Sequence, residues 1–229
     1  MLKAWLPGLA LAGLIAVVYL LARWPAMQTT HILSFAVAIT LVAHIHEEDR
    51  FPGGFAYMFN VIRARSEVPD RYPMSPLIAM VVDVSIFVVL FLPALFLPAI
   101  IWVGMAPMFL ALMEFLMHTG MGILQRRRHG FSIYNPGLAT AIVFAIIAIS
   151  YIAVTSRGNL IGGIEWLWAA GYFVATLLIF LVLPEFGLRS KTTRWGFDHR
   201  HFLGYYKRYT TVEEVFGAGG TATAVGDSR

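Results

Sequence analysis

Residues 76–124 form one almost unbroken apolar run, PLIAMVVDVSIFVVLFLPALFLPAIIWVGMAPMFLALMEFLMHTGMGIL. These 49 residues are more than twice the roughly 20 that one helix needs to cross a membrane. Pro93 and Pro98 lie near the middle of the run, and proline interrupts helices. The run therefore predicts two membrane spans joined by a tight turn.

The rest of the chain has the same apolar character. It is 59% hydrophobic and only 13% charged, whereas a soluble domain carries about 25% charged residues. The lengths of the apolar runs predict an all-α polytopic transmembrane helix bundle of about six spans. We number them span 1 to span 6, at roughly residues 4–23, 29–48, 76–97, 99–124, 136–155 and 161–186.

A short interfacial helix is predicted at 55–64, where apolar residues fall at i, i+3, i+4 and i+7 before two arginines. The domain organisation predicted from these runs has three parts. Residues 1–28 hold the first span and an outer loop, 29–187 the main helical domain, and 188–229 a basic tail. The end of the tail, from about residue 216, is of low complexity and is expected to be disordered.

Basic residues are distributed unevenly between the two sides of this topology. An even number of spans puts both termini on one side. Of 17 lysines and arginines only Arg23 and Arg157 fall on the other side, which leaves 15 on the terminal side. The positive-inside rule then predicts cytoplasmic N and C termini. The net charge of +4 is explained by these membrane-flanking residues, so no nucleic-acid partner is expected.

The sequence His44-Ile45-His46-Glu47-Glu48 closes span 2. His44, Glu47 and Glu48 are spaced i, i+3, i+4, so a helix presents them on one face. Ionisable groups in a membrane span are costly and are usually paired, metal-bound or part of a pathway. The chain has no cysteine, so any metal site must use imidazole, carboxylate or carbonyl ligands.

Other spans bring polar residues to the same depth. Glu114 and His118 are i, i+4 in span 4, and Asp83 lies about two turns into span 3. Asn135 precedes Pro136 and Gly137 at the start of span 5, a pattern that also suits a helix cap. The predicted metal ligands are His44, Glu47, Glu48, Glu114 and His118, with Glu47 or Glu114 as catalytic base.

The secondary candidates have structural alternatives. Asp83 is as well suited to a helix–helix hydrogen bond as to a site role. For Asn135 the structural alternative is capping of span 5. The alternative for the motif at the end of span 2 is an interfacial polar cap.

Two metals fit the predicted ligands. Two histidines with one or two glutamates suit zinc, which would favour hydrolysis of a lipid-like or membrane-embedded amide, ester or phosphoester. Counting Glu47, Glu48, Glu114 and Asp83 together gives four carboxylates for a di-iron centre, which would favour oxidation of a lipid or isoprenoid. A proton or metal-ion transporter and a non-catalytic scaffold are the rival classes. Membrane lipids and a lipid-like substrate are the expected partners, and the sequence leaves open both a monomer and a homo-oligomer.

The chain also resembles a known family. The matching stretches are HIHEE at 44–48, FPGGF at 51–55, FN at 59–60 and YNPGL at 134–138. They are similar to the HXXEE family of bacterial and archaeal multi-pass membrane proteins, which lacks an assigned activity. The resemblance implies a location in a prokaryotic inner or plasma membrane. The family's Asn-x-x-x-His element is matched by Glu114-x-x-x-His118, with Glu in place of Asn. The resemblance covers roughly residues 30–185, adds Asn60 as a secondary candidate, and implies a catalytic or metal site without a substrate.

Overall fold

The computed structural model describes residues 4–217, apart from the side chain of Arg200. Six helices in this range are long and apolar enough to cross a membrane, and no strand occurs in it, which confirms the predicted all-α class. They are span 1 Trp5–Ala26, span 2 Thr29–Asp49, span 3 Pro76–Phe96, span 4 Ile101–His129, span 5 Leu138–Arg157 and span 6 Gly163–Leu188. The predicted hairpin between spans 3 and 4 turns at Leu97–Ile100, where Ile100 N donates to Leu97 O at 3.0 Å.

Span 4 extends further than predicted. Its helix continues from residue 124 through Arg126–Arg128 to His129, and Gly130 ends it with φ +69°. Four basic residues in the last turn are favourable there because they face the negative end of the helix dipole. The arginine run is therefore helical and does not begin the loop.

Proline shapes span 3. Pro93 has no N–H and cannot bond Val89 O, and the turn Phe87–Phe91 before it widens to a π-helical form. The hydroxyl of Tyr172 in span 6 donates to the freed Val89 carbonyl. A backbone acceptor inside the membrane region is thus satisfied by a neighbouring helix, as hydrocarbon surroundings require.

Spans 2, 4 and 5 form the centre of the bundle, and each packs on the other two. Within an 18-residue apolar stretch of each span, 56% of span 2 and 50% of span 4 is buried, against 22% of span 1 and 11% of span 6. Small residues permit the close approach; a Cβ at Gly104 would meet the Tyr151 hydroxyl. Spans 2 and 4 are neighbours, which residue spacing in the sequence could not establish. Their contact brings the histidines of the two spans together.

The segment after span 2 forms the predicted short helix at Phe55–Tyr57 and Met58–Arg63. Asn60 in this helix is fully buried, and its amide donates to Pro69 O at 2.7 Å and Met74 O at 2.8 Å. Its carbonyl accepts from Met74 N at 3.0 Å. The Asn60 side chain therefore binds the loop that leads to span 3 and does not take part in the histidine cluster.

The chain beyond span 6 packs against the end of the bundle where the histidines lie. It contains three short helices, His199–Phe202, Gly204–Arg208 and Val212–Phe216, and Tyr206 is fully buried. Tyr205 N donates to Gly53 O at 3.0 Å, and a Cβ at Gly54 would lie 2.6 Å from Leu203 O. Residues 189–217 are thus a docked part of the molecule, which we call the C-terminal segment. Disorder was expected from about residue 216, and the residues from 218 onward lie outside the described range.

Candidate metal centre

Two buried histidines face each other across the contact between spans 2 and 4. His44 and His118 are 3% and 2% exposed, and their ring centroids are 5.0 Å apart with the rings edge to face. Both Nε2 atoms point to the same pair of carboxylates. The predicted meeting of the motif histidine with the span 4 histidine is therefore present in the structure.

Glu48 and Glu114 close this cluster. Glu48 Oε1 lies 3.7 Å from His44 Nε2 and 3.2 Å from His118 Nε2. Glu114 Oε2 lies 3.9 Å and 3.7 Å from the same two nitrogens. His44, Glu48 and His118 each offer one ligand atom, and these atoms lie within 4.8 Å of one another.

Asn135 orients His118. The Asn135 amide nitrogen donates to His118 O at 2.9 Å and to Ile133 O at 3.2 Å. The amide oxygen, Oδ1, is therefore the acceptor atom of this side chain. That oxygen lies 2.7 Å from His118 Nδ1, which must therefore carry the proton. A neutral His118 then presents an unprotonated Nε2 to the carboxylates. The capping interpretation of Asn135 is wrong, because the N-cap residue of span 5 is Gly137 and the Asn135 side chain bonds His118 and Ile133 instead of the first turn.

A similar chain of hydrogen bonds orients His44. The Thr140 hydroxyl lies 2.6 Å from Glu47 Oε2 and must donate to it, since an ionised carboxylate only accepts. The same hydroxyl oxygen lies 2.8 Å from His44 Nδ1, so it accepts the Nδ1 proton. His44 Nε2 is thereby also left with a free lone pair. Histidine ligands of metals in proteins are characteristically held by an outer hydrogen bond of this kind.

This donor set fits a divalent cation. Two imidazole lone pairs face two carboxylates at 3.2–3.9 Å, an arrangement of acceptors that repel one another unless a positive charge lies between them. A shared proton relieves one of these contacts, whereas one cation relieves all four. Two ligands of a tetrahedral ion, each bound at about 2.0–2.1 Å, are about 3.4 Å apart, a separation within the 3.2–3.9 Å range of these nitrogen–oxygen distances.

Glu47 lies outside the cluster. Its carboxylate accepts from the Tyr134 hydroxyl at 2.9 Å, from Ala139 N at 3.2 Å, and from Thr140 N and Oγ1 at 2.9 and 2.6 Å. Its position at the start of span 5 is electrostatically favourable, because the helix dipole is positive there. Burial and the bond to Glu47 raise the pKa of the Tyr134 hydroxyl, which keeps it a donor. Glu47 is therefore placed to hold span 5 and Thr140 against span 2.

Gly137 permits the close approach of His118. Its φ is +98°, and a Cβ there would lie only 2.3 Å from His118 Cε1. A side chain at this position is excluded by both the backbone conformation and the imidazole. This gives a physical reason for the glycine in the YNPGL stretch.

A cavity of about 280 Å³ opens beside the cluster, between the short helix and spans 2, 3, 4 and 6. Its walls are mostly apolar, and they include Met113, Met117 and Met121 at successive turns of span 4. The polar lining residues are His44, His118, Glu48, Asp49, Asp83, Glu114, Arg63 and Glu185. Asp83 thus shares the cavity with the histidines. The cavity thus combines several ionisable groups with mainly apolar walls.

Three residues of the site were missed from the sequence. Thr140 bonds both His44 and Glu47, and Tyr134 bonds Glu47. No local pattern marks a threonine or tyrosine as the partner of a residue some ninety positions away. Asp49 lines the cavity together with Glu48. Its place directly after the motif, at the end of an apolar span, was a signal that could have identified it.

We expect Thr140→Val to weaken divalent-metal binding by about 10–100-fold, the cost typical of removing an outer partner of a histidine ligand. Valine keeps the shape of threonine but cannot accept the His44 Nδ1 proton. The measurement is competition for zinc with a chelator of known affinity, on detergent-purified protein. Thr155→Val is the matched control, because the Thr155 hydroxyl bonds only backbone carbonyls of its own helix. Equal zinc affinities for the two variants would contradict the role assigned to Thr140.

Comparison with known proteins gives one match. A family model described as "Protein of unknown function with HXXEE motif" matches residues 35–153. Neither the curated proteins nor the solved structures contain a match to the chain. The matched range includes every residue of the cluster and the Asn135, Thr140 and Glu47 partners that orient it.

Proposed function

The chain belongs to the HXXEE-motif family, and on that premise we propose that it is an integral membrane metalloenzyme. Its site would act on a lipid-like or membrane-embedded substrate at the cytoplasmic face. The observation that carries the proposal is the convergence of two buried, tautomer-fixed imidazoles on Glu48 and Glu114. This proposal gives a role to three residues of the family motif. His44 and Glu48 are ligands, and Glu47 holds the partner of His44.

In the proposed assignment, His44, His118 and Glu48 hold one divalent ion, with zinc as the leading candidate. A zinc site of three protein ligands keeps a position for water or substrate and supplies Lewis acidity there. Glu114 is the residue left over in the cluster. Its side chain is 23% exposed, against 12% for Glu48, so it is the more accessible of the two carboxylates.

Glu114 is suited to the role of general base. It lies within 4 Å of both imidazole nitrogens and lines the cavity. In hydrolysis it would take a proton from the attacking water and return it to the leaving oxygen or nitrogen as the acyl bond breaks. The apolar cavity walls would bind the hydrocarbon part of the substrate. Among the described lining residues Arg63 has the only permanent positive charge, which favours an ester or amide over a phosphoester.

A second candidate, oxidation by a di-iron centre, is favoured by one observation. Asp49 and Asp83 line the same cavity as the cluster, so carboxylates for a second ion are near. A transporter or relay has less support. In the described spans, the halves remote from the cluster contain one acidic residue, Glu165, whose carboxylate accepts from Gly162 N at 2.6 Å at the start of span 6.

Metal analysis of the wild-type protein tests the proposal. Protein purified in detergent without chelator is expected to contain one zinc per chain by plasma mass spectrometry, and to hydrolyse a long-chain 4-nitrophenyl ester in mixed micelles. Two irons per chain would instead support lipid oxidation. A folded protein that neither retains nor takes up zinc or iron would overturn the metalloenzyme proposal.

A further inference from the structure

A second, smaller cavity is also lined by Glu48. It measures about 50 Å³ and is lined by Glu48, Asp49, Gly54, Ala56, Phe197, Asp198, His201 and Phe202. We call it the polar mouth. Glu48 and Asp49 line both this cavity and the large one, so one residue of the metal-binding cluster, Glu48, is shared by the two cavities.

The polar mouth is formed by the docking of the C-terminal segment. Its outer wall comes from residues 197–202, and its inner wall from the end of span 2 and the turn at Gly54. The contact is close: Gly204 lies against Gly53, where a Cβ would meet the backbone at 2.1 Å. This docking leaves an opening with acidic groups on both walls.

Side-chain exposure differs between the outer and inner walls of the polar mouth. At the outer wall the side chains of Asp198 and His201 are 58% and 72% exposed, with Asp198 Oδ2 3.2 Å from His201 Nδ1. At the inner wall Glu48 is 12% exposed and lies 3.2 Å from His118. Oxygen and imidazole groups are thus present at both the exposed outer wall and the buried inner wall, where they can replace the hydration water of a cation.

The large cavity has a different lining. Its walls are mainly apolar side chains from the short helix and from spans 2, 3, 4 and 6, and its carboxylates lie among them. Moving an ion out of water into apolar surroundings is very costly wherever no ligand replaces the water. The polar mouth, by contrast, is bordered on its outer wall by the exposed side chains of Asp198 and His201.

We propose that the polar mouth is the aqueous access route by which the divalent cation, and the water used in hydrolysis, reach the His44–Glu48–His118 site. The apolar cavity is then left for the lipid-like substrate. This inference rests on the proposed metal site, and it assigns to the C-terminal segment the function of forming the outer wall of a cation path. Asp198 attracts the cation and Asp49 passes it to Glu48.

The test is the rate of zinc uptake by metal-free, full-length protein in detergent, followed as zinc leaves a fluorescent indicator. Asp198→Lys is expected to slow uptake about tenfold at low salt, because local charge steers ions into a cleft. The final amount of zinc bound should not change, and the difference should shrink as salt rises. Asp198→Asn keeps a hydrogen-bond acceptor in place and should give a smaller reduction.

Glu213→Lys is the matched control, because it makes the same charge change on the C-terminal segment at an exposed residue that does not line the mouth. Equal uptake rates for Asp198→Lys and Glu213→Lys would overturn the access route. So would slowing by Glu185→Gln alone, which would place the path in the large cavity. If the wild type binds no zinc at any time, the metal site itself fails, and this result is distinct from the other two.

Discussion

Replacing His118 with alanine is expected to weaken metal binding by more than about 100-fold, because losing even an outer partner of a ligand costs about 10–100-fold. Protein purified from this variant should therefore contain little or no metal. His44→Ala should have the same effect, since both Nε2 atoms face the same carboxylates. The measurement is metal content per chain, together with the elution profile of the protein in size exclusion as a check of folding.

His46→Ala is the control for this prediction. His46 belongs to the same motif, but its Nδ1 pairs with Val42 O of its own helix at 2.8 Å and it takes no part in the cluster. Its removal should leave the metal content unchanged. Full metal occupancy in a folded His118→Ala protein would refute the assigned ligand set. Loss of folding in His118→Ala together with an unchanged metal content in His44→Ala would favour a structural role for the cluster.

Glu114→Gln is expected to separate binding from chemistry. Glutamine has the same shape but cannot accept a proton at neutral pH, so kcat should fall by about 10²–10⁴-fold, the usual contribution of a general base. Metal content should stay near that of the wild type, because His44, His118 and Glu48 remain. The measurement pairs metal analysis with hydrolysis of a long-chain 4-nitrophenyl ester in mixed micelles.

Glu67→Gln provides the comparison for Glu114→Gln. Glu67 is a solvent-exposed glutamate whose ion pair with Lys191 contributes little to stability. Glu67→Gln should leave both the metal content and the rate of ester hydrolysis unchanged. If Glu114→Gln loses the metal as well as the activity, then Glu114 is a fourth ligand and the base must be sought elsewhere. Unchanged hydrolysis would contradict a catalytic role for Glu114.

Much of the architecture was predictable because it depends on run length. A span needs about 20 apolar residues whatever it packs against, so all six spans were located within a few residues. The errors fall at the ends, as in span 4, where a favourable dipole interaction carries the helix past the last apolar residue to His129. Local chemistry at a terminus decides such details.

The candidate ligands were also visible in the sequence. Helical spacing puts His44 and Glu48 on one face, and Glu114 and His118 on another, and the cost of ionisable groups in a membrane marks all four as unusual. The same spacing put Glu47 beside His44. It could not show that the carboxylate of Glu47 is directed to the start of span 5, where two backbone N–H groups and two hydroxyls bind it.

By itself, then, the sequence determined the membrane class, the number of spans and the residues with metal-binding chemistry, since these follow from composition and from spacing within single helices. Only the tertiary structure decided which helices are neighbours, which imidazole nitrogen is free, and that the C-terminal segment docks beside the site. Those features depend on contacts between residues far apart in the chain, such as Thr140 with His44 and Tyr205 with Gly53. Periodicity within one helix contains no information about which residue of another helix will meet it.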